Sequence, residues 1–196
     1  QPCSSAASDV YKRQDNYRIS SAMPTIQRIL KDKPNRLMLI SHFGRPNGKE
    51  DKYSLKQIVP ELEKIMGKSV EFLPHGLSNQ TIKNLSKQKS EIYLLENLRF
   101  HKEETKYKSM DMTNNEAYDI IQQLGDIYVN DAFGCMHRDH LSITGIETKE
   151  RAHGYLIEKE LHALHHITRN TSSKKILAII GGCLLYTSDA ADEHGC

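Results

Sequence analysis

The sequence has almost no excess of charge of either sign. It holds 27 lysines and arginines against 25 aspartates and glutamates, which gives a formal net charge of +2 over 196 residues. So small a net charge gives no reason to expect a nucleic-acid or membrane partner. No apolar run approaches the length that spans a bilayer, and the first residues lack the pattern of a secretion signal. We therefore expect a soluble protein with one well-buried domain, because the chain is short for two.

Cysteine is scarce in the middle of the chain. Cys3, Cys183 and Cys196 lie in the outermost segments, which leaves Cys135 alone between them. One isolated thiol cannot form an internal disulfide, so the sequence favours a reducing, cytoplasmic setting. No catalytic base is evident beside Cys135, and we interpret it as a packing residue.

The two ends differ in character from the rest. Residues 1–14 are small and polar without a usable period, and residues 183–196 interrupt an apolar strand in mid-pattern. Both resemble translated read-through of a sequencing adaptor, and native disordered tails are the alternative. We expect both to be non-native flanks, so that the native sequence is truncated at both ends.

Short apolar runs alternate with amphipathic segments between these flanks. Runs typical of buried strands lie at 36–41, 70–73, 91–95, 126–129, 143–146 and 175–180. Helical spacing is found at 20–30, 54–66, 78–88, 113–124 and 156–169, and the polar stretch 101–111 is expected to be an exposed loop. This alternation predicts an α/β fold: a three-layer α/β/α, Rossmann-like arrangement around a parallel sheet.

Local signals predict where three of the helices begin. Ser20 or Ser21 is expected to cap the first helix, with Pro24 in its first turn, where a missing amide is harmless. Thr113 and Glu116 have the spacing of a capping box. Pro60 implies either a kink or a later start for the helix around it.

Three predicted strands run directly into loops that carry both arginine and histidine. These pairs are His42 with Arg45, Arg99 with His101, and His137 with Arg138. Ligands bind at the carboxyl edge of open α/β sheets, where such loops meet. Guanidinium forks match the geometry of carboxylates and phosphates, and His42, His101 and His137 would add further donors. We therefore expect a small, multiply charged anion that carries both kinds of head group.

The evidence in the sequence for a metal site is weaker than the evidence for an anion site. His137 and His140 are suitably spaced, but no cysteine or carboxylate set in the sequence completes a site. His162 and His166 share a helix face without the glutamate of an H-E-x-x-H motif. The charges at 102–104 are interpreted as those of an exposed loop, and no metal site is predicted.

The same loops carry a family resemblance. Its motifs include SHFGRP at 41–46, KYSL at 52–55, LLENLRFH at 94–101, YVNDAFG at 128–134 and GYL at 154–156. In this order, from about Asp15 to Gly182, they resemble the N-terminal domain of phosphoglycerate kinase. Cys135 and Met136 stand where Thr-Ala is usual in that family.

The resemblance implies the N-terminal lobe of a two-lobe glycolytic kinase, which transfers a phosphoryl group between ATP and the carboxylate of 3-phosphoglycerate. Residues 15–170 would bind 3-phosphoglycerate, and 171–182 would begin the C-terminal nucleotide-binding domain. The nucleotide motif ends after Gly182. Mg²⁺ would accompany ATP or ADP on the remainder of that domain, so this chain alone is expected to be inactive and to hold no cofactor. The parent enzyme is expected to be a cytoplasmic monomer.

The resemblance also assigns residues. Arg18 would be catalytic, stabilising the transferring phosphoryl group. The residues that would bind the substrate are Arg18, His42, Phe43, Gly44, Arg45, Arg99 and Arg138.

A non-catalytic module that senses a phosphorylated metabolite is the alternative. Arg18 separates the two hypotheses, because a pure binder needs no arginine aimed towards a second substrate. Nucleic-acid binding is opposed by the near-neutral charge and by the lack of an aromatic stacking platform.

Overall fold

The computed structural model of the chain describes residues 5–87 and 89–169. The chain divides into two compact units, Gln1–Glu160 and Leu161–Cys196. In the second unit the structure describes only the helical residues 161–169. The predicted strand 175–180, the domain start at 171 and the flank 183–196 lie outside the described residues. No helix in the described part of the chain is both long and apolar enough to cross a membrane.

Short parallel strands alternate with helices along the described chain. In order they are α1 (Ser5–Lys31), β1 (Leu37–Leu39), α2 (Val59–Met66), β2 (Glu71–Leu73), α3 (Asn79–Lys87), β3 (Ile92–Leu95), α4 (Lys102–Lys106), α5 (Glu116–Gln122), β4 (Ile127–Asn130), α6 (Leu141–Thr144), β5 (Glu150–His153) and α7 (Tyr155–Arg169). Short 3-10 helices lie between them, including Leu55–Ile58, Leu98–Phe100 and Phe133–Cys135.

All described strand pairs are parallel, as the alternation predicts. β1, β3 and β2 form one sheet with β3 at its centre, so that Leu37 lies opposite Ile92 and Leu73 opposite Leu95. β4 and β5 pair separately, with Ile127 opposite Glu150. The described strands therefore form two parallel sheets, where the sequence predicts one.

The side chains of β3 divide the core into two layers. Tyr93 and Leu95 belong to a buried cluster that includes residues of α3 and α5. Ile92 and Leu94 belong to a second cluster, which includes residues of α1 and α2. Successive strand side chains point to opposite faces, so helices cover both faces of the sheet. The three-layer α/β/α prediction is confirmed.

The predicted start of the first helix is wrong. α1 begins at Ser5, well before Ser20, and Pro24 lies inside the helix rather than in its first turn. No glycine or proline between positions 3 and 23 interrupts the helix. Burial of Met23 and Ile26 in the core offsets the backbone hydrogen bond that Pro24 cannot make.

Pro60 marks a later helix start rather than a kink. The 3-10 helix Leu55–Ile58 comes first, and the Ser54 hydroxyl oxygen accepts a hydrogen bond from the Lys56 amide at its beginning. α2 then starts at Val59, with Pro60 in its first turn. There the missing amide of proline costs little.

Two further local predictions are wrong. α5 is capped by Asn115 and not by Thr113: the Asn115 side-chain oxygen accepts a hydrogen bond from the Tyr118 amide at 3.1 Å. The Glu116 carboxylate is occupied by the amide of Asn79, at 2.7 Å. The predicted strand 143–146 is instead the end of α6 and the turn after it. Four residues are too few for periodicity to separate a strand from a helical turn.

Candidate anion-binding site

A buried asparagine fastens the loop after β1 to the loop after β3. Asn97 is wholly buried. Its side-chain oxygen accepts hydrogen bonds from the amides of Phe43 at 3.2 Å and Arg99 at 3.1 Å. Its side-chain nitrogen donates to the carbonyls of Phe43 at 2.7 Å and Tyr53 at 2.9 Å. The conformation of residues 42–46 is thus fixed from the centre of the sheet.

Glu96 anchors the next segment in the same way. One carboxylate oxygen accepts from the amides of Leu55 at 2.9 Å and Asn97 at 2.8 Å. The other accepts from the Ser54 hydroxyl at 2.7 Å. Both Glu96 and Asn97 belong to a motif visible in the sequence, but their roles depend on backbone groups about 40 or more positions away, and sequence reasoning missed them.

Gly44 is required by the shape of this loop. Its φ of +61° lies in the left-handed region, and a Cβ there would overlap the ring of Tyr53. That ring is in edge contact with Phe43, with centroids 6.1 Å apart. Arg99 donates from Nη1 to the Gly44 carbonyl, so the guanidinium is held against the loop.

Arginines that follow β1, β3 and β4, strands of both sheets, interact electrostatically. Burial lowers the pKa of Arg99, and the positive charges of Arg138 and Arg45 lower it further. Arg99 Nε is buried and has no hydrogen-bond partner among the described residues. Arg45 is exposed and Arg138 half-buried. We call Arg45, Arg99, Arg138 and His42 the cationic cluster; such a set of donors is suited to an anion.

Cys135 adjoins this cluster, and its interpretation as a packing residue was incomplete. Its Sγ lies 4.0 Å from His42 Nδ1. The hydrogen bond with His42 lowers the pKa of the thiol against the effect of burial, and the charges of Arg99 and Arg138 act in the same direction. The thiol therefore senses the same positive field as an incoming anion would.

The stretch 101–111 is not an exposed loop, and one of its acids is central to the site. Glu104 lies on α4 and is completely buried. Its Oε1 is 2.6 Å from His42 Nε2 and accepts from the Ser142 hydroxyl at 2.6 Å, while Oε2 accepts from the Ser142 amide at 3.0 Å. Burial acts to raise the pKa of Glu104, but the hydrogen bonds from His42 and Ser142 lower it overall. The carboxylate is ionised.

The two histidines beside Glu104 differ in charge. Burial acts to lower the pKa of His42, but its hydrogen bonds with Cys135 and Glu104 raise the pKa to about 9. Burial lowers the pKa of His140, whose Nδ1 lies 3.4 Å from Glu104 Oε1 and makes no hydrogen bond there. His42 is therefore protonated at neutral pH, and His140 is neutral.

Three other predicted residues make no hydrogen bond or ion pair with the cationic cluster among the described residues. His101 was expected to add a donor for the ligand, but its Nε2 accepts a hydrogen bond from the Leu77 amide at 2.9 Å, so it supports the loop after β2. Its pKa is lowered by burial. His137 is exposed, and Arg18 is exposed on α1. None of the hydrogen bonds and ion pairs between described residues links Arg18 to the cationic cluster, and its catalytic role stays a prediction.

His42, Glu104 and His140 have ligand atoms within 4.8 Å of one another, which raises the question of a metal. Two atoms bound to a tetrahedral zinc ion at about 2.0 Å would lie about 3.3 Å apart. His42 Nε2 and Glu104 Oε1 are 2.6 Å apart, which is a hydrogen-bond distance. This spacing matches an ion pair that shares a proton and not a set of metal ligands.

This chain has parallel strands whose carboxyl ends are followed by interacting arginines. It therefore belongs to the class of α/β proteins that bind an anion at the carboxyl ends of their strands. A family model described as phosphoglycerate kinase matches residues 6–188 of this chain. The chain belongs to the phosphoglycerate kinase family.

Relatives in this family are similar at the sequence level. Phosphoglycerate kinase of Kluyveromyces lactis is 40% identical over 184 residues, covering 89% of this chain and 44% of the relative. Phosphoglycerate kinase of Tetrahymena pyriformis is 40% identical over 181 residues, covering 86% of this chain and 48% of the relative. The chain spans less than half the length of these relatives.

Solved structures agree on the fold. Phosphoglycerate kinase from Pyrococcus horikoshii superposes with a TM-score of 0.67 and 25% identity, covering 81% of this chain and 40% of that one. The enzyme from Coxiella burnetii gives a TM-score of 0.63 and 30% identity over 80% of this chain and 38% of its own.

Proposed function

We propose that the cationic cluster binds 3-phosphoglycerate, and that in a chain of full family length this substrate exchanges a phosphoryl group with ATP through its carboxylate, a step of glycolysis. The observation that carries the proposal is the convergence of Arg45, Arg99 and Arg138, with the buried Nε of Arg99 left without a partner. An unpaired buried donor costs free energy until a ligand accepts its hydrogen bond.

The chemistry of this ligand suits the cluster. A phosphoglycerate carries a carboxylate and a phosphate, and each can accept two-point contacts from a guanidinium. Charge-assisted hydrogen bonds contribute about 1.5–3 kcal/mol each, and association costs at least about 4 kcal/mol. Three or four such bonds therefore leave at most about 8 kcal/mol, so the affinity should be no tighter than about micromolar.

Within this proposal the substrate residues are those that the resemblance names: Arg18, His42, Phe43, Gly44, Arg45, Arg99 and Arg138. Phe43 and Gly44 would contribute through the fixed shape of their loop. Arg18 would stabilise charge on the phosphoryl group as it transfers. Phosphoryl transfer needs positioning and positive charge around the equatorial oxygens and no covalent intermediate on the enzyme.

Mg²⁺ would enter as part of the nucleotide substrate. The cationic cluster itself does not suit this ion, which prefers carboxylate and water oxygens. The carboxylate of Glu104 is already occupied by His42 and Ser142. We therefore assign the magnesium nucleotide to the nucleotide-binding domain that is expected to begin near residue 171, and none of its ligands to the cluster.

The setting follows from the same proposal. Cys135 is a free thiol, which suits a reducing cytoplasm. The resemblance supports a monomer whose partners are small molecules.

Calorimetric titration of 3-phosphoglycerate into the 196-residue chain tests the binding proposal. We expect Arg138→Gln to weaken binding about 10- to 100-fold, the equivalent of one lost charge-assisted contact. Arg28→Gln removes the same charge at an exposed ion pair on α1 and should change affinity by less than about twofold. Glycerate without the phosphate should bind far more weakly. A wild-type chain that gives no binding, or an Arg138→Gln chain that binds equally well, would contradict the proposal.

A further inference from the structure

We propose that Glu104 is a positioning residue of the anion site: its buried carboxylate holds His42 positively charged and in one orientation beside Arg99 and Arg138. The inference rests on the proposed function, because it explains what keeps one member of the anion-binding cluster cationic. It concerns a residue with no polar atom free for the ligand, since Glu104 is 0% exposed.

The geometry favours His42 over His140 as the imidazole that pairs with this carboxylate. The 2.6 Å contact between Glu104 Oε1 and His42 Nε2 is short, as charge-assisted hydrogen bonds are. The Ser142 hydroxyl donates to Oε1 and the Ser142 amide to Oε2, and together they fix the carboxylate in place. His140 Nδ1 is farther away, at 3.4 Å, and makes no hydrogen bond to it. The negative charge is therefore directed at one imidazole.

The surroundings of His42 explain why a negative charge is needed. The titratable groups that act on it come from four segments: Arg99 after β3, Glu104 on α4, Cys135 after β4, and His140 before α6, while Arg138 acts on Cys135 and His140. The charge of Arg99 opposes protonation of His42. Glu104 is the one carboxylate in this set. Without it, the nearby guanidinium and burial would both favour a neutral imidazole, and only the 4.0 Å contact with Cys135 would act against them.

The same contact also orients the ring. With Nε2 bound to Glu104, Nδ1 points away from α4 and towards Cys135, whose Sγ is 4.0 Å away. At this distance the thiol is a weak partner that an anionic oxygen can replace. His42 thus presents one charged N–H group, Nδ1–H, on the side where Arg99 and Arg138 act on the thiol.

Histidine ring NMR across a pH series tests this directly in the 196-residue chain. In the wild type, His42 should stay protonated to above about pH 8. In Glu104→Gln, which keeps the shape of the side chain and removes its charge, the pKa of His42 should fall by about 1–3 units. Glu103→Gln removes one charge from the neighbouring position of α4 and should leave the titration of His42 unchanged.

Affinity for 3-phosphoglycerate at two pH values separates positioning from a merely structural role. Glu104→Gln should bind about tenfold more weakly than the wild type near pH 8, and this deficit should shrink towards pH 6, where more of the variant's His42 is protonated. A structural role would weaken binding by the same factor at both pH values, and that result would overturn the inference.

The titration decides the inference even if other parts fail. A wild-type His42 that titrates at the ordinary value near 6.5 overturns the inference without any variant. The inference therefore stays testable even if the Glu104→Gln chain does not fold. A wild-type chain that binds no 3-phosphoglycerate overturns the proposed function alone. In that case the wild-type and variant titration curves still show whether Glu104 holds the charge on His42.

Discussion

His42 and Glu104 are 62 positions apart in the chain, and their side chains meet at 2.6 Å. One lies on the loop after β1 and the other on α4, so only the folded chain brings them together. Because the pair forms on folding, its protonation is linked to stability as well as to the charge of the anion site.

The first prediction concerns pH. The pKa of His42 is about 9 in the folded chain and ordinarily 6.5, so the folded state binds this proton more tightly. This contribution to stability is complete below the ordinary pKa and is lost as pH rises through about 9. Relative to His42→Asn, the free energy of unfolding of the wild type should therefore fall by about 1–3 kcal/mol over this range. Urea denaturation near pH 6 and again above pH 9 measures it.

A constant difference between these two proteins at both pH values would contradict the linkage. The comparison with His42→Asn removes the contributions of titrating groups that His42 does not contact, since both proteins share them, whereas Glu104 and Cys135 titrate as part of the same linkage.

The second prediction concerns the buried amide that ties the loops together. Asn97→Asp keeps the oxygen but replaces the two N–H donors with a charge that faces the carbonyls of Phe43 and Tyr53. We expect a loss of about 2–4 kcal/mol in the free energy of unfolding, measured by urea denaturation. The control Asn84→Asp changes an exposed contact with Gln80 and should cost less than about 0.5 kcal/mol. Equal effects would show that Asn97 does not fix the loop.

The third prediction concerns Gly44. Gly44→Ala forces a side chain into left-handed backbone and against the ring of Tyr53. The backbone alone should cost about 1–2 kcal/mol, and displacement of the ring should also weaken anion binding. Gly134→Ala on the loop after β4 meets no atom within 4 Å and serves as the matched control. If calorimetry gave both variants the same affinity for 3-phosphoglycerate, the fixed shape of residues 42–46 would not matter for binding.

The fourth prediction concerns the start of α7. Asp131 accepts hydrogen bonds from the amides of Leu156 at 2.9 Å and Ile157 at 3.1 Å, and from the Thr25 hydroxyl at 2.6 Å. Asp131→Ala should lower the free energy of unfolding by about 1–2 kcal/mol, because it removes a cap from the first turn. Amide exchange at Leu156 and Ile157 should accelerate. If Asp131→Ala lowered the free energy of unfolding but left amide exchange at Leu156 and Ile157 unchanged, the lost stability would not come from the start of α7.

The periodicity of apolar residues and the loops that end each apolar run were enough to predict the architecture. The apolar runs ending at Leu39, Leu95 and Val129 are continuous and lead into loops, so the alternation of parallel strands and helices could be predicted. Arginine after these strands was visible for the same reason. Boundaries were less accurate, because α1 has no breaker before Pro24, and tertiary packing lets the helix continue through it.

The buried polar groups could not be predicted. Glu104 stands among charged neighbours in a stretch that has every feature of an exposed loop, and it is buried because His42 and Ser142 meet it from distant segments. The same holds for Glu96 and Asn97, whose partners are mostly backbone groups of other loops. Sequence patterns predict burial for apolar residues at regular spacing. Glu96, Asn97 and Glu104 are single polar residues that are buried because they find hydrogen-bond partners, and no spacing predicts them.

The central claim is that the cationic cluster binds a phosphorylated carboxylate. Amide and histidine NMR of the 196-residue chain during titration with 3-phosphoglycerate tests it most directly. The account predicts shifts concentrated at residues 42–45, at Arg99 and at 135–138, and their loss in Arg99→Gln while Arg28→Gln keeps them. A folded chain whose shifts lie elsewhere, or that shows none at millimolar ligand, would contradict it.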